Sequence, residues 1–331
     1  MSHSLQKETY RVLIITSEWP TPERPDMVPF VVREVEALRR QGVELDVYPF
    51  RGAMHPVNYS QAWRNLRALL KQKQYDLLHA QFGQSGLLAL PKKLPLVVTY
   101  QGSDLNGVYG ANGRLTLSGF LLRKVSQLVA WYADEIILVS RTLSRFLPRH
   151  RYHVIPGGLD VDLFRPIPKD EARKALGLAG DRRYVLFAGG RDNPIKRFPL
   201  AQEAVALLPK SLHAEILLAN SILPEKMPFY MSAADILLLT SNREGSPNVV
   251  KEALACNLPV VSVDVGDVRE RLANVQGCVV CDDDHPGTIA AGLQTVLNAS
   301  QPIHGREAVL ALSLENTARQ IINVYQAALS R

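Results

Sequence analysis

Residues 236–263 constrain the fold more tightly than any other stretch. Ile236-Leu-Leu-Leu-Thr240 is a continuous apolar run of strand length, and Pro259-Val-Val-Ser-Val263 is another. Runs of this kind mark strands buried on both faces of a parallel sheet. Between them Ser241, Asn242 and Gly245 break the first run, and Val249, Ala253, Leu254 and Cys256 then recur at helical spacing. Ser246 is placed to cap that helix, with Pro247 at the first helical position, where its missing N–H goes unneeded. Two parallel strands joined through a helix form a crossover unit, which implies an α/β fold.

The same unit carries two carboxylates. Glu244 lies in the loop at the helix N-terminus, and Glu252 lies about two turns further on, inside the helix. Amide groups at such a terminus favour an anion, and each carboxylate can grip hydroxyls of one ligand. The combination suggests a sugar-nucleotide site.

The alternation of strand and helix runs through the rest of the chain. In the first half, strands are expected at 12–16, 43–48, 77–80, 96–100, 136–139 and 154–156. Helices are expected at 28–40, 60–73, 115–133 and 142–147. Pro156-Gly157-Gly158 and Arg165-Pro166-Ile167-Pro168 interrupt the pattern, which restarts with strands at 184–188, 214–219, 235–240 and 259–263. Helices at 199–208, 247–256 and 286–297 accompany these. The pattern predicts two doubly wound, Rossmann-like domains with a ligand cleft at the carboxyl ends of their strands.

Composition narrows the partners. At 331 residues, 47% hydrophobic and 21% charged, the chain suits two globular domains of ordinary size. The polar N-terminus, residues 1–9, has no signal-like apolar core, and the apolar helix at 115–133 is broken by Arg123 and Lys124. A cytoplasmic protein, peripheral at the inner face of a membrane at most, is the expectation. Three cysteines fit a reducing compartment, and Cys278 and Cys281 read as parts of a buried strand rather than a zinc site. His79 reads as a core histidine, and Asp282-Asp283-Asp284 as a solvated loop. Residues 1–150 hold 19 Lys and Arg against 12 Asp and Glu, whereas the remainder is close to neutral. Without aromatic-basic interleaving, this basic half points away from nucleic acid and toward an anionic membrane surface or a lipid-phosphate acceptor.

Glu244, seven intervening residues and Glu252, followed by Ala253 and Pro259, resemble the signature of retaining glycosyltransferases of family 4 (glycosyl transferases group 1), which have the GT-B fold. The resemblance implies that Glu244 contacts a donor sugar and Glu252 the nucleotide ribose, with Gly245, Ser246, Pro247, Asn248 and Val249 lining the same site. It implies that Arg191 and Lys196, in the loop opened by Gly189 and Gly190, hold the diphosphate of the donor. On the acceptor side it points to Val28 and Pro29, where many members have a Gly-Gly pair, and to Gln101 and Asp104, where a His often precedes. Gly157 stands where the family's hinge has Asn. The segment after Ala219 is shorter than usual and leaves the base of the nucleotide unspecified.

What the resemblance implies as a whole is a retaining transfer from a nucleoside-diphosphate sugar, a UDP-sugar first and GDP-mannose next. The acceptor would be a hydroxyl of a glycan or lipid-linked precursor of the bacterial envelope, with no metal or other cofactor. A sugar-nucleotide epimerase or a non-catalytic scaffold of the same fold is the alternative. The expected domains are 1–160 on the acceptor side and 161–313 for the nucleotide sugar, with a helix in 314–331 crossing back to the first.

Overall fold

The computed structural model describes residues 10–24, 27–52, 55–110, 114–148, 150–299 and 302–331. The reading of the N-terminal residues 1–9 lies outside them. Two compact units result, one of residues 1–158 with 314–331 and one of residues 159–313.

Unit 1 begins β1 (Arg11–Thr16), α1 (Pro29–Arg40), β2 (Glu44–Pro49), α2 (Pro56–Gln72), β3 (Leu77–Gln81) and β4 (Leu96–Tyr100). It continues α3 (Ser103–Asn106), α4 (Leu117–Tyr132), β5 (Glu135–Leu138) and β6 (His153–Val154). All six strands pair in parallel in the order β2-β1-β3-β4-β5-β6. Successive side chains of a strand point to opposite faces. Thus Val12 and Ile14 join the core under α1, while Leu13 and Ile15 join the core on the other face with Val98, Tyr100 and Val129. The helix expected at 142–147 is a 3-10 segment, Arg141–Phe146.

Unit 2 runs α5 (Lys169–Leu176), β7 (Arg183–Ala188), α6 (Phe198–Ala206), β8 (Ala214–Ala219), α7 (Met227–Ala233) and β9 (Ile236–Leu239). Then come α8 (Asn248–Ala255), β10 (Val260–Val263), α9 (Val268–Leu272), β11 (Val279–Cys281), α10 (Pro286–Asn298) and α11 (Gly305–Val309). Its five parallel strands are ordered β11-β10-β9-β7-β8. The last helix, α12 (Leu314–Leu329), belongs to unit 1, where Ile321, Val324 and Tyr325 pack on the core of α1. Gly158 and Leu314 meet where the chain leaves and re-enters unit 1: a Cβ on Gly158 would stand 2.9 Å from a Leu314 methyl. His79 is wholly buried between the hydroxyls of Tyr325 (2.8 Å) and Thr99 (2.7 Å), and burial pushes it down to about 3. It is a satisfied core residue. Cys281 lies in the core, and Cys278 accepts the Val260 amide N–H at 3.4 Å.

Candidate functional site

Every residue expected in the donor site falls in unit 2, on the loops that leave β7 and β9 and on the first turns of α8. These two strands are neighbours, and the chain goes from β7 to β8 on one side and comes back to β9 on the other. Doubly wound sheets open a ligand crevice where the strand order reverses in this way.

The loop after β7 is shaped around Lys196. Gly189 has φ 147°, and a Cβ there would press within 3.1 Å of Lys196 Cγ. Asn193 N–H donates to Gly190 O at 3.2 Å, and Lys196 N–H to Asn193 O at 3.0 Å, closing two successive turns. The loop is then sewn to the one after β9. The Thr240 hydroxyl donates to Lys196 O (2.7 Å), and Asn242 N–H donates to Ile195 O (3.0 Å). These bonds bring Lys196 Nζ to 2.7 Å from Glu244 Oε1, with the two side chains 24% and 19% exposed. A cation and a carboxylate so placed neutralise each other, and a phosphate group entering the loop competes with Glu244 for Lys196. Arg191 takes a different position. It is exposed, its guanidinium 5.3 Å from the Phe198 ring centroid, and Phe198 in turn packs edge-on against Phe187.

At the head of α8 the structure corrects the expected cap. The helix starts at Asn248, Pro247 is the residue before it, and no side chain caps its first turn. The Ser246 hydroxyl donates instead to Asp267 Oδ2 at 2.9 Å. Asp267 is buried, and a buried carboxylate needs donors more than a helix end needs an acceptor. Neither Pro247 nor the Ser246 hydroxyl, turned to Asp267, caps the amides at the start of α8, which suits an anion. Asn248 and Val249 are half-buried there, and Glu252 is half-buried on the next turn.

Beneath this loop lies a cluster that the sequence analysis missed. Asp267 Oδ2 also accepts from Arg271 Nε at 3.0 Å, while Asp267 Oδ1 has no hydrogen-bond partner among the described residues. Lys251 is buried nearby. Burial pushes its amine down to about 8, against the pull of Asp267 and Glu252. Gly266 is at φ 60°, and a Cβ there would meet Gly245 O at 2.6 Å, so the Asp267 loop lies directly against the Glu244-Gly245 backbone. The Asp-Val-Arg-Glu-Arg stretch, with acid and base four apart, was the available signal. Asp282, Asp283 and Asp284 are exposed, and Asp284 accepts a hydrogen bond from Arg197.

Unit 1 has its own reversal, between β1 and β3. Here the groups are neutral or protonatable. Ser17 N–H donates to Ser85 Oγ (3.0 Å), and Gln84 Nε2 donates to Ser17 Oγ (3.0 Å). Gln101 Nε2 donates to Gln81 Oε1 at 2.9 Å, and Gln81 Nε2 donates to Glu34 Oε1 at 2.6 Å. Glu34 is buried on α1, and burial pushes its carboxyl up to about 7, with Gln81 opposing. Asp104 is fully buried, its oxygens taken by the backbone N–H groups of Gly83 (2.8 Å), Gly102 (2.9 Å), Leu105 (3.1 Å) and Gln101 (3.3 Å). With its acceptor capacity committed, Asp104 shapes the Gln101 loop from within. Val28, before Pro29 at the head of α1, is left-handed at φ 39°. A groove of ≈ 620 Å³ in this unit, lined by Arg11, Tyr75 and Lys93, opens at the amino ends of the strands, away from these loops.

Comparison with known proteins gives matches in both units. Residues 1–163 match the family model described as Glycosyltransferase Family 4, and residues 175–299 match Glycosyl transferases group 1. A Bacillus subtilis protein named as a teichuronic acid biosynthesis glycosyltransferase, TuaC, is 26% identical over 82% of this chain and 85% of its own length. A D-inositol 3-phosphate glycosyltransferase of Thermobispora bispora is 26% identical over 80% of this chain and 73% of its own. Among solved structures, sucrose-phosphate synthase from Thermosynechococcus elongatus superposes with TM-score 0.78 at 18% identity, covering 97% of this chain and 99% of that one. HepE of Anabaena, in complex with UDP and glucose, gives 0.70 at 16% identity, over 96% and 100%.

Proposed function

This chain belongs to the glycosyl transferases group 1, of GT-B fold, and from that premise we propose that it transfers a sugar from a UDP-sugar to a hydroxyl of an envelope glycan or glycolipid precursor, with retention. The observation that carries this proposal is the Lys196–Glu244 contact at the strand-order reversal of unit 2, with a glycine loop on one side and the uncapped start of α8 on the other. A UDP-sugar is favoured over GDP-mannose because a neighbour of the same fold is bound to UDP-glucose. The envelope acceptor follows the name of the Bacillus relative.

The roles follow from charge. The bond from the sugar's anomeric carbon to the diphosphate breaks, and the acceptor oxygen bonds to that carbon from the same face. The acceptor's proton passes to the departing phosphate oxygen. Negative charge grows on the diphosphate, where Lys196 and Arg191 stabilise it by about 1.5–3 kcal/mol per charge-assisted contact, and these fixed cations do so without a metal ion. As the diphosphate draws on Lys196, Glu244 is released to bond the sugar hydroxyls, and Glu252 holds the ribose. In unit 1 the amide of Gln101 can hydrogen-bond an acceptor hydroxyl but cannot take its proton at neutral pH, which suits a route in which the donor phosphate does so.

The test is a thermal-shift panel with UDP, GDP, ADP and TDP and their sugar conjugates. A ligand at a hundred times its dissociation constant adds about 2.7 kcal/mol of stability, several degrees for a domain of this size. UDP is expected to stand out. A flat panel would replace the transferase with a scaffold that kept the fold, and release of an altered sugar without acceptor would replace it with an epimerase.

A further inference from the structure

Unit 1 leaves one helix face bare. Along α4 the side chains of Leu117, Phe120, Leu121, Lys124, Leu128 and Trp131 recur at intervals of three, four and seven, and all are exposed. The apolar ones are 44% (Phe120) to 75% (Leu117) exposed, with Trp131 at 63%. The opposite face, with Gly119, Ser126, Val129 and Ala130, is buried. The exposed row is thus a second apolar stripe, in excess of what the core uses. Contiguous apolar surface of this kind marks a docking site. It continues sideways into a groove of ≈ 410 Å³ between α2 and α4, lined by Tyr59, Leu87, Leu121, Leu122 and Val125.

Charge selects the partner. From Leu105 to Leu159 the sequence has seven Lys and Arg residues and only two acids, Asp134 and Glu135. Both acids are already paired, Asp134 with Lys92 and Glu135 with His153 and Arg331. Lys124 lies within the apolar row, its ammonium 5.5 Å from the Phe120 ring. The segment after β5 packs beside the row: Phe146 O accepts from Gln127 Nε2 at 2.9 Å, and His150 meets the Trp131 ring at 4.5 Å. That segment also carries the exposed Arg141, Arg145 and Arg151, and Arg145 shares the Phe146 ring with Arg123 of α4. An aliphatic row with aromatic rings, a snorkelling lysine and a basic border, free of acids, matches a lipid surface with anionic headgroups.

We propose that the exposed face of α4, bordered by Arg141, Arg145 and Arg151, lies in the interface of an anionic bilayer and holds the enzyme at its acceptor. At 16 residues α4 is about 24 Å long, which suits lying in the membrane plane. Among the described residues no helix is long and apolar enough to cross a membrane. The purpose assigned to this face rests on the lipid-linked acceptor of the proposed function, but the binding itself needs neither donor nor acceptor.

The test is flotation of the full chain with vesicles of phosphatidylcholine, with or without about one third phosphatidylglycerol. The chain is expected to float with the anionic vesicles, less so in high salt, and to stay behind with the neutral ones. The double substitution Leu121→Glu/Leu128→Glu, at positions already in water, should lower the bound fraction by about tenfold or more. It should leave the melting temperature and the nucleotide-induced shift unchanged. Lys124→Glu/Arg145→Glu should weaken binding by a smaller factor. No flotation, or flotation indifferent to the leucine changes, overturns the proposal. A solution dimer that the leucine changes dissolve overturns it in favour of self-association. A flat nucleotide panel with intact flotation leaves the membrane face standing and removes only the transferase.

Discussion

In unit 1 the chain leaves β1 and enters α1 through Val28; in unit 2 it leaves β7 and enters α6 through Arg197. Both residues are left-handed, at φ 39° and 53°, and a proline follows within two residues. The two connections share a backbone path and differ in what they do with it. Arg197 turns its side chain to use, donating to Thr240 O at 2.6 Å and to Asp284, and so locks the loops of β7 and β9 together around Lys196 and Glu244. Val28 has no polar group to offer, and the loops of β1 and β3 are joined by serines and glutamines instead. The same fold is thus built twice, with a cation–carboxylate pair at the reversal point of one unit and a chain of amides ending on a buried acid at that of the other. The first suits an anionic donor, and the second suits a hydroxyl-bearing acceptor.

The sharpest way to break the contrast is to remove Asp267. Asp267→Ala strips Ser246 of its acceptor, leaves the mostly buried Arg271 only its 3.6 Å contact with the exposed Glu270, and takes from Lys251 the larger of the two charges that hold its amine up. Breaking a buried pair in this way costs about 3–5 kcal/mol. Unit 2 should lose that much in denaturant unfolding while unit 1 keeps its stability. Asp267→Asn keeps an acceptor for Ser246 and should preserve the fold while raising the donor KM. An unchanged donor KM in the Asn variant would deny this cluster any role in holding the Glu244 loop.

Next comes Lys196→Ala, which removes the contact with Glu244 and one of the two cations assigned to the donor diphosphate. At about 1.5–3 kcal/mol for a charge-assisted contact, kcat should fall roughly tenfold to a hundredfold. Gln101→Ala, the corresponding change at the reversal of unit 1, should alter the acceptor KM and leave the donor KM alone. Equal effects of the two on donor KM would erase the distinction between the units.

The contrast was only half visible in the sequence. Strand runs such as 236–240 and 259–263 were legible because strands buried on both faces need little besides apolar side chains, and their periodicity is local. The placing of Glu244 and Lys196 in loops and of Glu252 in a helix was legible because glycine, proline and charge mark where strands end. The short helices α5 and α7 escaped notice. Each has a proline at its start (Pro168 before α5, Pro228 in the first turn of α7), and their other buried apolar residues, Ala172 in α5 and Met231 and Ala233 in α7, are too few to show a period. Ser246 was misread as a cap because its partner, Asp267, is 21 residues away. Asp104 looked available because nothing local reveals that Gly83, on another loop, donates to it. Patterns within one turn were readable, and bonds between loops were not.

Glu34 separates the units by pH. Its carboxyl, near 7 when folded, is neutral in acid and must ionise without a cation as pH rises, so it destabilises unit 1 progressively from about pH 4.5 to 7 and fully above. Of the groups near it, the Tyr325 phenol stays neutral, and the buried His79, held near 3, loses stability in the opposite direction, as pH falls below about 6.5. In the natural chain these two trends offset each other. Glu34→Gln keeps an oxygen for Gln81 and removes only the acidic one, so it should stabilise unit 1 by on the order of 2 kcal/mol at pH 8 and hardly at all at pH 5. A gain of equal size at both pH values would show that the substitution acts through packing rather than charge.

The smallest effect bears on the shared backbone path. A β-branched residue in the left-handed region costs roughly 1–3 kcal/mol, a strain glycine does not incur. Val28→Gly should therefore relieve strain in the folded state, while the greater freedom of glycine in the unfolded chain takes back up to about 1 kcal/mol. The net expectation is a gain of about 1 kcal/mol in the stability of unit 1, read as a shift of the urea midpoint with unchanged slope. Arg197→Gly relieves the same kind of strain but also removes the bonds to Thr240 and Asp284, so it should destabilise unit 2 and lower turnover. Opposite signs for one substitution at two equivalent positions follow from the difference between the connections. In unit 1 the left-handed residue only turns the chain, whereas in unit 2 it turns the chain and also holds the two site loops together.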